Sequence, residues 1–595
     1  MPASKTFKPT TELFKEWATT QPERIAVQIE EEVITYGELA DRINCFSTYL
    51  LQSGIGLQDN VVIFMDRSID CIVAMLSVLN IGCVYVPIDP VHAASRIHYI
   101  AEDAKPHLII TTRALSQEVE LPATRVCLFE EVDLSDFQAP PIDIPINPAY
   151  VMYILYTSGT TGQPKGVLVH HEGAENLLDE IKREWPMHKN ILQFASLGFD
   201  ASIPEWAGTL SSGGKIVMIK NRQLVLGNQL LELVRRQEVS FMKMPAAVLT
   251  TLDHTFELPT LETVVTAGDA CNQELVRKWS PGRNFYNCYG PTENSIGSTR
   301  SHCFAEDEGV NIGRPVQDVF AYILDEDLEP VGPGEVGEIY LGGKGVAYGY
   351  NNKPLLTAQK FLPDPFHGVG QRMYKTGDLG RWLADGNIDF VGRIDNQVKI
   401  NGYRIELEEI NAALKKSPFI LEASVIPVFE EKNQYLIAFY QPAEGGLPVA
   451  QIKASLKEQL PTYMIPSRFQ PLERFRLTAS GKVDGVHLRK HYRDYLEVEV
   501  AEEKGVHQEE SDSKDVSTVL LQIWQTTLEL DAVTANTDFF EQGGGSMDAA
   551  RLIGDLQAAL GVAPTVADLY ENPRFEDFEK LSKKFVDAFI LTDTV

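Results

Sequence analysis

The sequence is poor in the features that mark secreted and membrane proteins. Its seven cysteines are scattered through 595 residues without a CxxC pair, a pattern typical of reduced thiols and not of a disulfide framework or a zinc site. Apolar runs such as Tyr150–Tyr156 are far shorter than the roughly 20 residues of a membrane helix. The N-terminal stretch MPASKTFKPTTELF has no apolar signal-peptide core. We therefore expect a soluble, cytoplasmic protein with no membrane partner.

Positive charge is also scarce. The chain has 83 acidic and 53 basic residues and a formal net charge of −30. Nucleic-acid binding requires clustered Lys and Arg side chains, so this balance argues against a nucleic-acid partner. It does not exclude a nucleotide such as ATP, which requires only a local pocket of donors.

The length predicts several domains, because a single domain usually has about 100–200 residues. In the first 300 residues, apolar runs such as Leu108–Ile110 and Lys215–Ile219 alternate with amphipathic stretches such as Glu38–Leu51. This alternation is typical of an α/β fold. Shorter β-like runs with turn residues follow, and a smaller α+β stretch begins after Asp395.

The acidic, aromatic-free segment 497–515 predicts a solvated linker between domains. After it, apolar residues from Val516 onward recur at helical spacing, and the pattern returns at Ala549, Leu552 and Leu556. This spacing predicts a small helical bundle of about 75 residues.

The segment YTSGTTGQPKG (Tyr156–Gly166) follows an apolar strand and is rich in glycine and hydroxyl side chains. Such a loop can fold its N–H and O–H groups around phosphate oxygens. It is not the Walker loop, which ends in GK[ST] after a four-residue gap. Taken alone, the segment is also compatible with a flexible surface loop.

A series of further motifs follows in order, and together with this loop they resemble the adenylation domains of nonribosomal peptide synthetases, within the superfamily of acyl-CoA synthetases and luciferases. The resemblance covers nearly the whole chain. The motifs are ITYGEL (Ile34–Leu39), GCVYVPID (Gly82–Asp89), FDAS (Phe199–Ser202), NCYGPTE (Asn287–Glu293), GEIYLGGKGVAYGY (Gly337–Tyr350), YKTGDL (Tyr374–Leu379), GRIDNQVKINGYRIELEEI (Gly392–Ile410), LPTYMIP (Leu460–Pro466) and SGKVD (Ser480–Asp484).

The resemblance implies a fold and a domain order. It implies a large α/β N-terminal adenylation subdomain with a β-barrel portion over residues 1–394, and a small α+β C-terminal subdomain over 395–496 with a hinge at Asp395. The linker 497–515 then leads to a four-helix carrier bundle over 516–590.

The resemblance also implies an ATP site. Glu293 is expected to bind Mg²⁺, an ion that favours one carboxylate plus phosphate oxygens, and Thr292 to contact the α-phosphate. Asp378 is expected to accept both ribose hydroxyls, although a single Asp in a TGD sequence more often has only a turn role. Asn287 and Tyr289 are expected to flank the adenine, and Arg393 to bind the nucleotide. The residues expected around the β- and γ-phosphates are Thr157, Ser158, Gly159, Thr160, Thr161, Gly162 and Lys165.

Lys482 is the residue expected to carry the first half-reaction, by stabilising charge near the α-phosphate and the substrate carboxylate. Without the resemblance it is an ordinary solvated turn lysine. Hinge rotation at Asp395 is expected to remove Lys482 and to bring the segment around Gly402 to the site. Asn401 replaces an arginine that is usual in the family.

In DFFEQGGGSM (Asp538–Met547), glycines lead into a predicted helix with Ser546 at its N-terminus. A serine at such a position is most often only an N-cap. The resemblance implies that Ser546 carries a covalent 4′-phosphopantetheine arm, whose thiol attacks the acyl-adenylate and forms a thioester.

Asp200 matches the family's partner for an α-ammonium group, which implies an α-amino-acid substrate. Lys243 is the one charged residue among the others expected in the pocket. Its ammonium group either pairs with an acidic substrate side chain or extends outward past a small apolar pocket. The expected lining residues are Asp200, Ala201, Pro204, Lys243, Val265, Ala267, Cys288, Ile296 and Gly297.

The expected function is ATP-dependent activation of an amino acid and its loading onto the fused carrier, as a loading module of nonribosomal peptide synthesis. Two alternatives are an acyl-CoA ligase that uses free CoA and an inactive scaffold that keeps the fold. The expected partners are a phosphopantetheinyl transferase, a downstream synthetase module or tailoring enzyme, and an MbtH-like accessory protein.

Overall fold

A computed structural model describes residues 7–122, 124–137, 140–159, 163–220, 227–395, 397–400, 402–429, 434–443, 448–476, 483–485, 487–492, 516–528, 530, 533–539, 542, 544, 546–560 and 562–592. Two compact units are present: one comprises 1–220 and 231–406, and the other comprises 221–230 and 407–595. The division at 406/407 lies near the predicted hinge at Asp395. The domain boundaries predicted from the sequence stay predictions.

The α-helices among the described residues are α1 (Thr10–Thr20), α2 (Tyr36–Gln52), α3 (Ile69–Asn80), α4 (Ala94–Asp103), α5 (Arg113–Glu118), α6 (His171–Glu184), α7 (Gly227–Arg236), α8 (Ala246–Thr251), α9 (Gln273–Trp279), α10 (Pro354–Lys360), α11 (Leu407–Lys415), α12 (Val449–Lys457), α13 (Val516–Leu528), α14 (Ser546–Leu560), α15 (Val566–Glu571) and α16 (Phe575–Thr592). Short 3₁₀ turns occur at Phe129–Glu131, Leu134–Phe137, Thr292–Asn294 and Thr462–Met464, and a π-helical turn at Pro204–Gly208.

The strands are β1 (Ile25–Ile29), β2 (Glu32–Thr35), β3 (Asn60–Phe64), β4 (Val84–Ile88), β5 (Leu108–Thr111), β6 (Val126–Leu128), β7 (Val151–Thr157), β8 (Lys165–His170), β9 (Asn190–Gln193), β10 (Lys215–Met218), β11 (Phe241–Met244), β12 (Thr263–Ala267), β13 (Asn284–Tyr289), β14 (Thr299–Cys303), β15 (Arg314–Pro315), β16 (Val319–Leu324), β17 (Gly337–Gly343), β18 (Gly349–Tyr350), β19 (Phe361–Pro363), β20 (Arg372–Trp382), β21 (Ile388–Arg393), β22 (Gln397–Ile400), β23 (Tyr403–Glu406), β24 (Ile420–Phe429), β25 (Gln434–Pro442) and β26 (Arg468–Pro471).

Two mostly parallel sheets dominate the first unit. One has the order β15-β14-β13-β12-β11-β9-β10-β1-β2, and the other has the order β18-β8-β7-β4-β3-β5-β6. Helix α3, with nearly every residue buried, packs in the core that these sheets share. Strands that are buried on both faces consist of continuous apolar runs. Strands β5 and β7 could therefore be predicted from the sequence. The predicted α/β class is confirmed.

Helix α2 shows why the predicted amphipathic stretch Glu38–Leu51 is helical. The Thr35 side chain accepts from the Glu38 backbone N–H, and the Glu38 carboxylate accepts from the Thr35 backbone N–H. This capping box satisfies two backbone donors that a helix start otherwise leaves unpaired.

A five-stranded antiparallel sheet follows in the first unit, with the order β16-β17-β20-β19 and with β21 also paired to β20. It lies in the region after residue 300 where the sequence has shorter β-like runs. Closure of this sheet into a barrel stays a prediction. The hairpin of β22 and β23 completes the first unit.

The second unit contains the sheet β24-β25-β26 and helices α11–α16. Helices α13 to α16 share one apolar cluster, in which Trp524 has no exposed surface and its ring meets Phe539, Phe575 and Phe578. The helical spacing read at Val516–Trp524 and at Ala549–Leu556 falls within α13 and α14, as predicted. The four-helix bundle of the family stays a prediction in its detail.

Candidate active site

The predicted phosphate loop lies between two antiparallel strands. Strand β7 ends at Thr157 and β8 begins at Lys165, and these two residues are register partners. Gly159, just after β7, lies very close to the Gln163 backbone: a Cβ atom at Gly159 would lie 2.0 Å from the Gln163 carbonyl oxygen. Only glycine fits such a close approach. Thr160, Thr161 and Gly162 lie outside the described residues.

Lys165 and Glu293 form a buried ion pair at the foot of this loop. The Lys165 Nζ lies 3.1 Å from the Glu293 Oε1, and the Glu293 side chain has no exposed surface. The Tyr350 hydroxyl donates to the same oxygen at 2.8 Å. Burial lowers the pKa of Lys165 to about 8, although the Glu293 charge acts in the opposite direction.

A second cation reaches Glu293 from the hairpin β22–β23. The Arg404 Nη1 donates to the Glu293 Oε2 at 2.8 Å. Burial alone would raise the pKa of Glu293, but the charges of Arg404 and Lys165 outweigh it and hold this pKa below its usual range. Glu293 is thus an ionised carboxylate between two cations.

The same hairpin also contacts the rest of the site. The Ser158 hydroxyl donates to the Arg404 carbonyl oxygen at 2.8 Å, and the Tyr403 ring meets the Phe199 ring edge-on with centroids 5.6 Å apart. At Gly402, where φ is +80°, a Cβ atom would lie 2.6 Å from the Pro245 ring. The segment around Gly402 therefore lies at the site, where the resemblance places it for the second half-reaction.

Asp378 forms a separate buried cluster on β20. Its Oδ2 accepts from the Tyr289 hydroxyl at 2.5 Å, and its Oδ1 pairs with Arg393. The Arg393 guanidinium also donates to both carboxylate oxygens of Asp395, each at 2.7 Å. These contacts fix the Asp378 carboxylate in place, and each of its oxygens has lone-pair capacity for a further donor such as a ribose hydroxyl.

Asn287 and Tyr289 lie two residues apart on β13 and so share one face of the strand. The Asn287 amide donates to the Asn311 carbonyl oxygen at 2.9 Å. The Lys399 ammonium of the hairpin lies over the Tyr289 ring, 5.5 Å from its centroid. Burial lowers the pKa of Lys399, and the charge of Asp378 acts against this.

Contacts of the hairpin bring the predicted substrate anchor Asp200 near the phosphate site. Tyr403 meets the Phe199 ring, directly before Asp200, and the adjacent Arg404 pairs with Glu293. Burial raises the pKa of Asp200, and the nearby Thr292 side chain and the charge of Lys243 act in the opposite direction.

Strand register brings four of the predicted pocket residues together. In the neighbouring parallel strands β11, β12 and β13, Lys243 pairs with Val265, and Ala267 pairs with Cys288. Val265 and Ala267 are two residues apart and so share one face of the sheet. All four therefore lie on one face near the carboxyl ends of these strands, which is where open α/β sheets bind ligands.

Lys243 points toward the other predicted pocket residues. Its Nζ lies 3.3 Å from the Ala201 carbonyl oxygen, beside Asp200. The role of Lys243 in substrate recognition stays a prediction.

The remaining predicted pocket residues lie in two irregular segments. Pro204 opens the π-helical turn. Ile296 has φ of +78°, a left-handed conformation that costs a β-branched residue on the order of 1–3 kcal/mol. Close backbone contact enforces it, because a Cβ atom at Gly290 would lie 2.6 Å from the Gly297 Cα and from the Ile296 carbonyl oxygen.

Glu205, which lies buried beside the end of β9, is a residue that the sequence did not indicate. Its carboxylate is fully buried and accepts from the Ala195 N–H at 3.0 Å, the Phe194 N–H at 3.1 Å and the Gln193 amide at 3.0 Å. Burial raises its pKa to about 7, while the charge of Lys243 acts against this. The only signal in the sequence was one acidic residue within the apolar run ASIPEWAG.

Arg404 and Tyr350 were also missed as individual residues, although both lie in motifs that the sequence analysis identified. Lys482 lies outside the described residues. Ser546 begins helix α14, as predicted.

The residues present fit Mg²⁺ in part. Glu293 offers a buried carboxylate of the kind that Mg²⁺ combines with phosphate oxygens, beside a loop suited to those phosphates. Both of its oxygens, however, already contact cationic side chains.

Three family models match the chain. The model of AMP-binding enzymes matches residues 14–351, that of the AMP-binding enzyme C-terminal domain matches 409–482, and that of the phosphopantetheine attachment site matches 518–581. The chain belongs to the AMP-binding enzyme family. It combines an adenylation domain of the nonribosomal peptide synthetase type with a carrier domain. The cofactors of these domains are ATP with Mg²⁺ and covalent 4′-phosphopantetheine, as predicted.

Relatives among synthetases are much longer than this chain. Bacitracin synthase 3 from Bacillus licheniformis is 36% identical over 97% of the chain, which spans 9% of that protein. Gramicidin S synthase 1 from Brevibacillus brevis is 34% identical over 92% of the chain, which spans half of it.

Solved structures agree with the domain content. The chain is similar to holo-PA1221, an NRPS protein containing adenylation and PCP domains, with a TM-score of 0.80, 26% identity and 97% coverage of both chains. It also resembles the four-domain synthetase AB3403, with a TM-score of 0.59 and 27% identity, over 97% of this chain and 43% of that one. In the described part of the chain, no helix has the length and apolar character to span a bilayer.

Proposed function

We propose that the chain activates an α-amino acid with an acidic side chain as an aminoacyl-adenylate and loads it onto the phosphopantetheine thiol at Ser546. The observation that carries this proposal is the pair of contacts made by neighbouring hairpin residues: Tyr403 meets Phe199, which precedes Asp200, and Arg404 pairs with Glu293 at 2.8 Å. It supports an amino acid held next to the ATP phosphates. Such proximity is what attack by the substrate carboxylate on the α-phosphate requires.

In the first half-reaction, a substrate carboxylate oxygen forms a bond to the α-phosphorus, and the bond to the pyrophosphate oxygen breaks. Negative charge moves onto the departing pyrophosphate. Ser158 and Lys165 would bind its oxygens, and Glu293 would hold Mg²⁺, which supplies charge neutralisation there when bound. Thr292 would contact the α-phosphate, and Lys482 would stabilise the charge that develops in the transition state.

The nucleoside would lie along β13 and β20. Asp378 would accept the two ribose hydroxyls while Tyr289 and Arg393 hold its carboxylate, and Asn287 would lie at the adenine. The fixed position of Asp378 supports this role, since a carboxylate held at both oxygens does not have to reorganise when the ribose binds.

For the substrate, Asp200 would pair with the α-ammonium group and Lys243 with a side-chain carboxylate. The position of the Lys243 Nζ at 3.3 Å from the Ala201 carbonyl oxygen favours this interpretation. An ammonium group in a half-buried pocket gains most from a ligand that brings the opposite charge. Aspartate and glutamate are the substrates that fit.

In the second half-reaction, the phosphopantetheine thiolate would form a bond to the acyl carbon, and AMP would leave with the electron pair of the broken bond to oxygen. A hinge at Asp395 would exchange Lys482 for the segment around Gly402. The contacts of Gly402 and Tyr403 with Pro245 and Phe199 support a role of this segment at the site.

The wider role is a loading module of nonribosomal peptide synthesis in the cytoplasm. A phosphopantetheinyl transferase would modify Ser546, a downstream synthetase module or tailoring enzyme would accept the acyl group, and an MbtH-like protein would act as accessory. An acyl-CoA ligase is the main alternative, and the carrier domain matched at 518–581 argues against it.

ATP–pyrophosphate exchange with a panel of amino acids tests the proposal. Aspartate or glutamate should give the fastest exchange. Fastest exchange with an apolar amino acid would reject the acidic substrate, and absence of exchange with every amino acid would favour an inactive scaffold. Rapid release of acyl-CoA from reactions with free CoA would favour the ligase.

A further inference from the structure

The anchor segment, residues 194–199, connects strand β9 to the predicted substrate anchor and is held at its start from two sides. The Arg67 guanidinium group, which follows β3 of the other parallel sheet, donates to the Phe194 and Ala195 carbonyl oxygens, both at 2.7 Å. Glu205 accepts from the backbone N–H groups of the same two residues. The first part of the anchor segment is therefore fixed through both its carbonyl and its N–H groups.

The motif GCVYVPID holds the rest of the anchor segment. Its Tyr85, on β4, donates from the hydroxyl group to the Leu197 carbonyl oxygen at 3.1 Å. Its Asp89, just after β4, accepts from the Ser196 hydroxyl, and the oxygen of that hydroxyl accepts from the Gly198 N–H at 3.1 Å. Strand β4 and the residue that follows it thus hold the stretch of the anchor segment that leads directly into the predicted substrate anchor.

The Asp89 carboxylate accepts hydrogen bonds at both of its oxygens. Its Oδ2 accepts from the Ser196 hydroxyl, and its Oδ1 accepts from the Val91 N–H at 3.1 Å. The backbone approaches closely here, since a Cβ atom at Gly198 would lie 3.2 Å from the Asp89 Cβ. An amide has an NH₂ group in place of one of these oxygens, and that group cannot accept. Asp89→Asn therefore removes one of the two contacts at nearly constant size.

We propose that Tyr85 and Asp89 are positioning residues for amino-acid binding: they hold the anchor segment so that Asp200 meets the α-ammonium group of the substrate. This inference rests on the proposed function, in which Asp200 is the ammonium anchor and the ATP site uses neither Tyr85 nor Asp89. The α-ammonium group takes no part in the bond changes of adenylation, so its contacts act equally on the bound substrate and on the transition state. Loss of such binding raises KM and leaves kcat unchanged.

Steady-state ATP–pyrophosphate exchange on the full chain tests the inference, with the amino acid of the panel that the wild type exchanges fastest. In Asp89→Asn, KM for the amino acid should rise about tenfold, the size of effect expected when a buried hydrogen bond loses its acceptor. Tyr85→Phe removes one hydroxyl group and should raise the same KM about threefold. In both variants, kcat and KM for ATP should change less than about twofold.

Asp364→Asn and Tyr36→Phe are the matched controls, because both residues are buried and make the same kinds of contact elsewhere. The Asp364 carboxylate accepts from the Tyr322 hydroxyl and from the Phe366 N–H, both at 2.8 Å. The Tyr36 hydroxyl donates to the Gly214 carbonyl oxygen at 2.8 Å. Both controls should lower the melting temperature as the test variants do, and should change KM for the amino acid less than about twofold.

A change of less than about twofold in KM for the amino acid in Asp89→Asn, or an equal rise in KM for ATP, would overturn the inference. An equal rise in the two controls would do the same, since it would show a general effect of lost stability. Should Asp89→Asn not fold by circular dichroism, Tyr85→Phe decides by the same criteria. Exchange by the wild type reports the proposed function separately: its absence rejects that function and the inference together, whereas failure in the variants rejects the inference alone.

Discussion

Arg404 and Glu293 form an ion pair of 2.8 Å between residues 111 positions apart in the sequence, and the Glu293 side chain has no exposed surface. Lys165 pairs with the other oxygen of the same carboxylate. The chain's own side chains therefore contact both oxygens of the carboxylate predicted to bind Mg²⁺.

Replacing Lys243 tests the substrate proposal. In Lys243→Met, kcat/KM for aspartate or glutamate should fall by a factor equivalent to about 3–5 kcal/mol, because a desolvated carboxylate loses its partner. Small apolar amino acids should be unaffected or improved, and Lys243→Glu should repel acidic substrates further. Amino-acid-dependent pyrophosphate exchange measures each value.

Two further variants control this prediction. Lys215→Met removes a half-buried lysine of β10 that bonds to Gln28 and should leave the substrate preference unchanged. Asp200→Ala should damage every amino acid, since it removes the α-ammonium anchor. If the wild type prefers an apolar amino acid and Lys243→Met leaves it unharmed, Lys243 has no part in substrate recognition.

Replacing Ser546 should separate the two half-reactions. Ser546→Ala should abolish covalent loading and leave amino-acid-dependent pyrophosphate exchange intact, because only the second step uses the phosphopantetheine arm. Ser517→Ala, on helix α13, should leave both reactions intact. Loss of exchange in Ser546→Ala would contradict the division of labour between the adenylation and carrier domains.

Lys482→Ala should slow adenylation severely and spare thioester formation from presynthesised aminoacyl-adenylate. Loss of a preorganised charge contact to the transition state costs about 3–4 kcal/mol, a factor of hundreds in rate. Rapid-quench measurement of each half-reaction tests this, with the exposed Lys490 changed to Ala as the control. An unchanged exchange rate would remove Lys482 from the mechanism.

The buried Glu205 carboxylate should make the stability of the folded protein depend on pH. Burial raises its pKa in the folded protein from 4.5 to about 7, so between these values the folded state binds the proton more tightly than the unfolded state. The free energy of unfolding therefore falls as the pH rises through this window, by on the order of 3 kcal/mol. The melting temperature of Glu205→Gln minus that of the wild type should therefore increase from pH 5 to pH 8.

Glu326→Gln, at an exposed turn position, is the matched control and should show no such change. A constant difference in melting temperature between Glu205→Gln and wild type across this range would show that the folded protein ionises Glu205 at its ordinary pKa.

Much of the fold could be predicted from the sequence, because the local pattern of apolar residues matches the burial of those residues in the structure. The run Leu108–Ile110 lies within β5, and the stretch Glu38–Leu51 lies within the capped helix α2. The contacts of the Glu293 carboxylate could not be predicted from the sequence. Lys165, Tyr350 and Arg404 are far from it in the chain and reach it only through tertiary packing. Glu205 was missed for a similar reason: its partners are backbone N–H groups just beyond β9, which no residue pattern reveals.

Intact-mass spectrometry of the phosphopantetheinylated chain, incubated with ATP, Mg²⁺ and a panel of amino acids, reports which amino acid the chain loads. We expect a covalent adduct of aspartate or glutamate on the arm at Ser546, absent without ATP and released by thiol treatment. Absence of any amino-acid adduct on protein that carries the arm, or an adduct formed preferentially with an apolar amino acid, would contradict it.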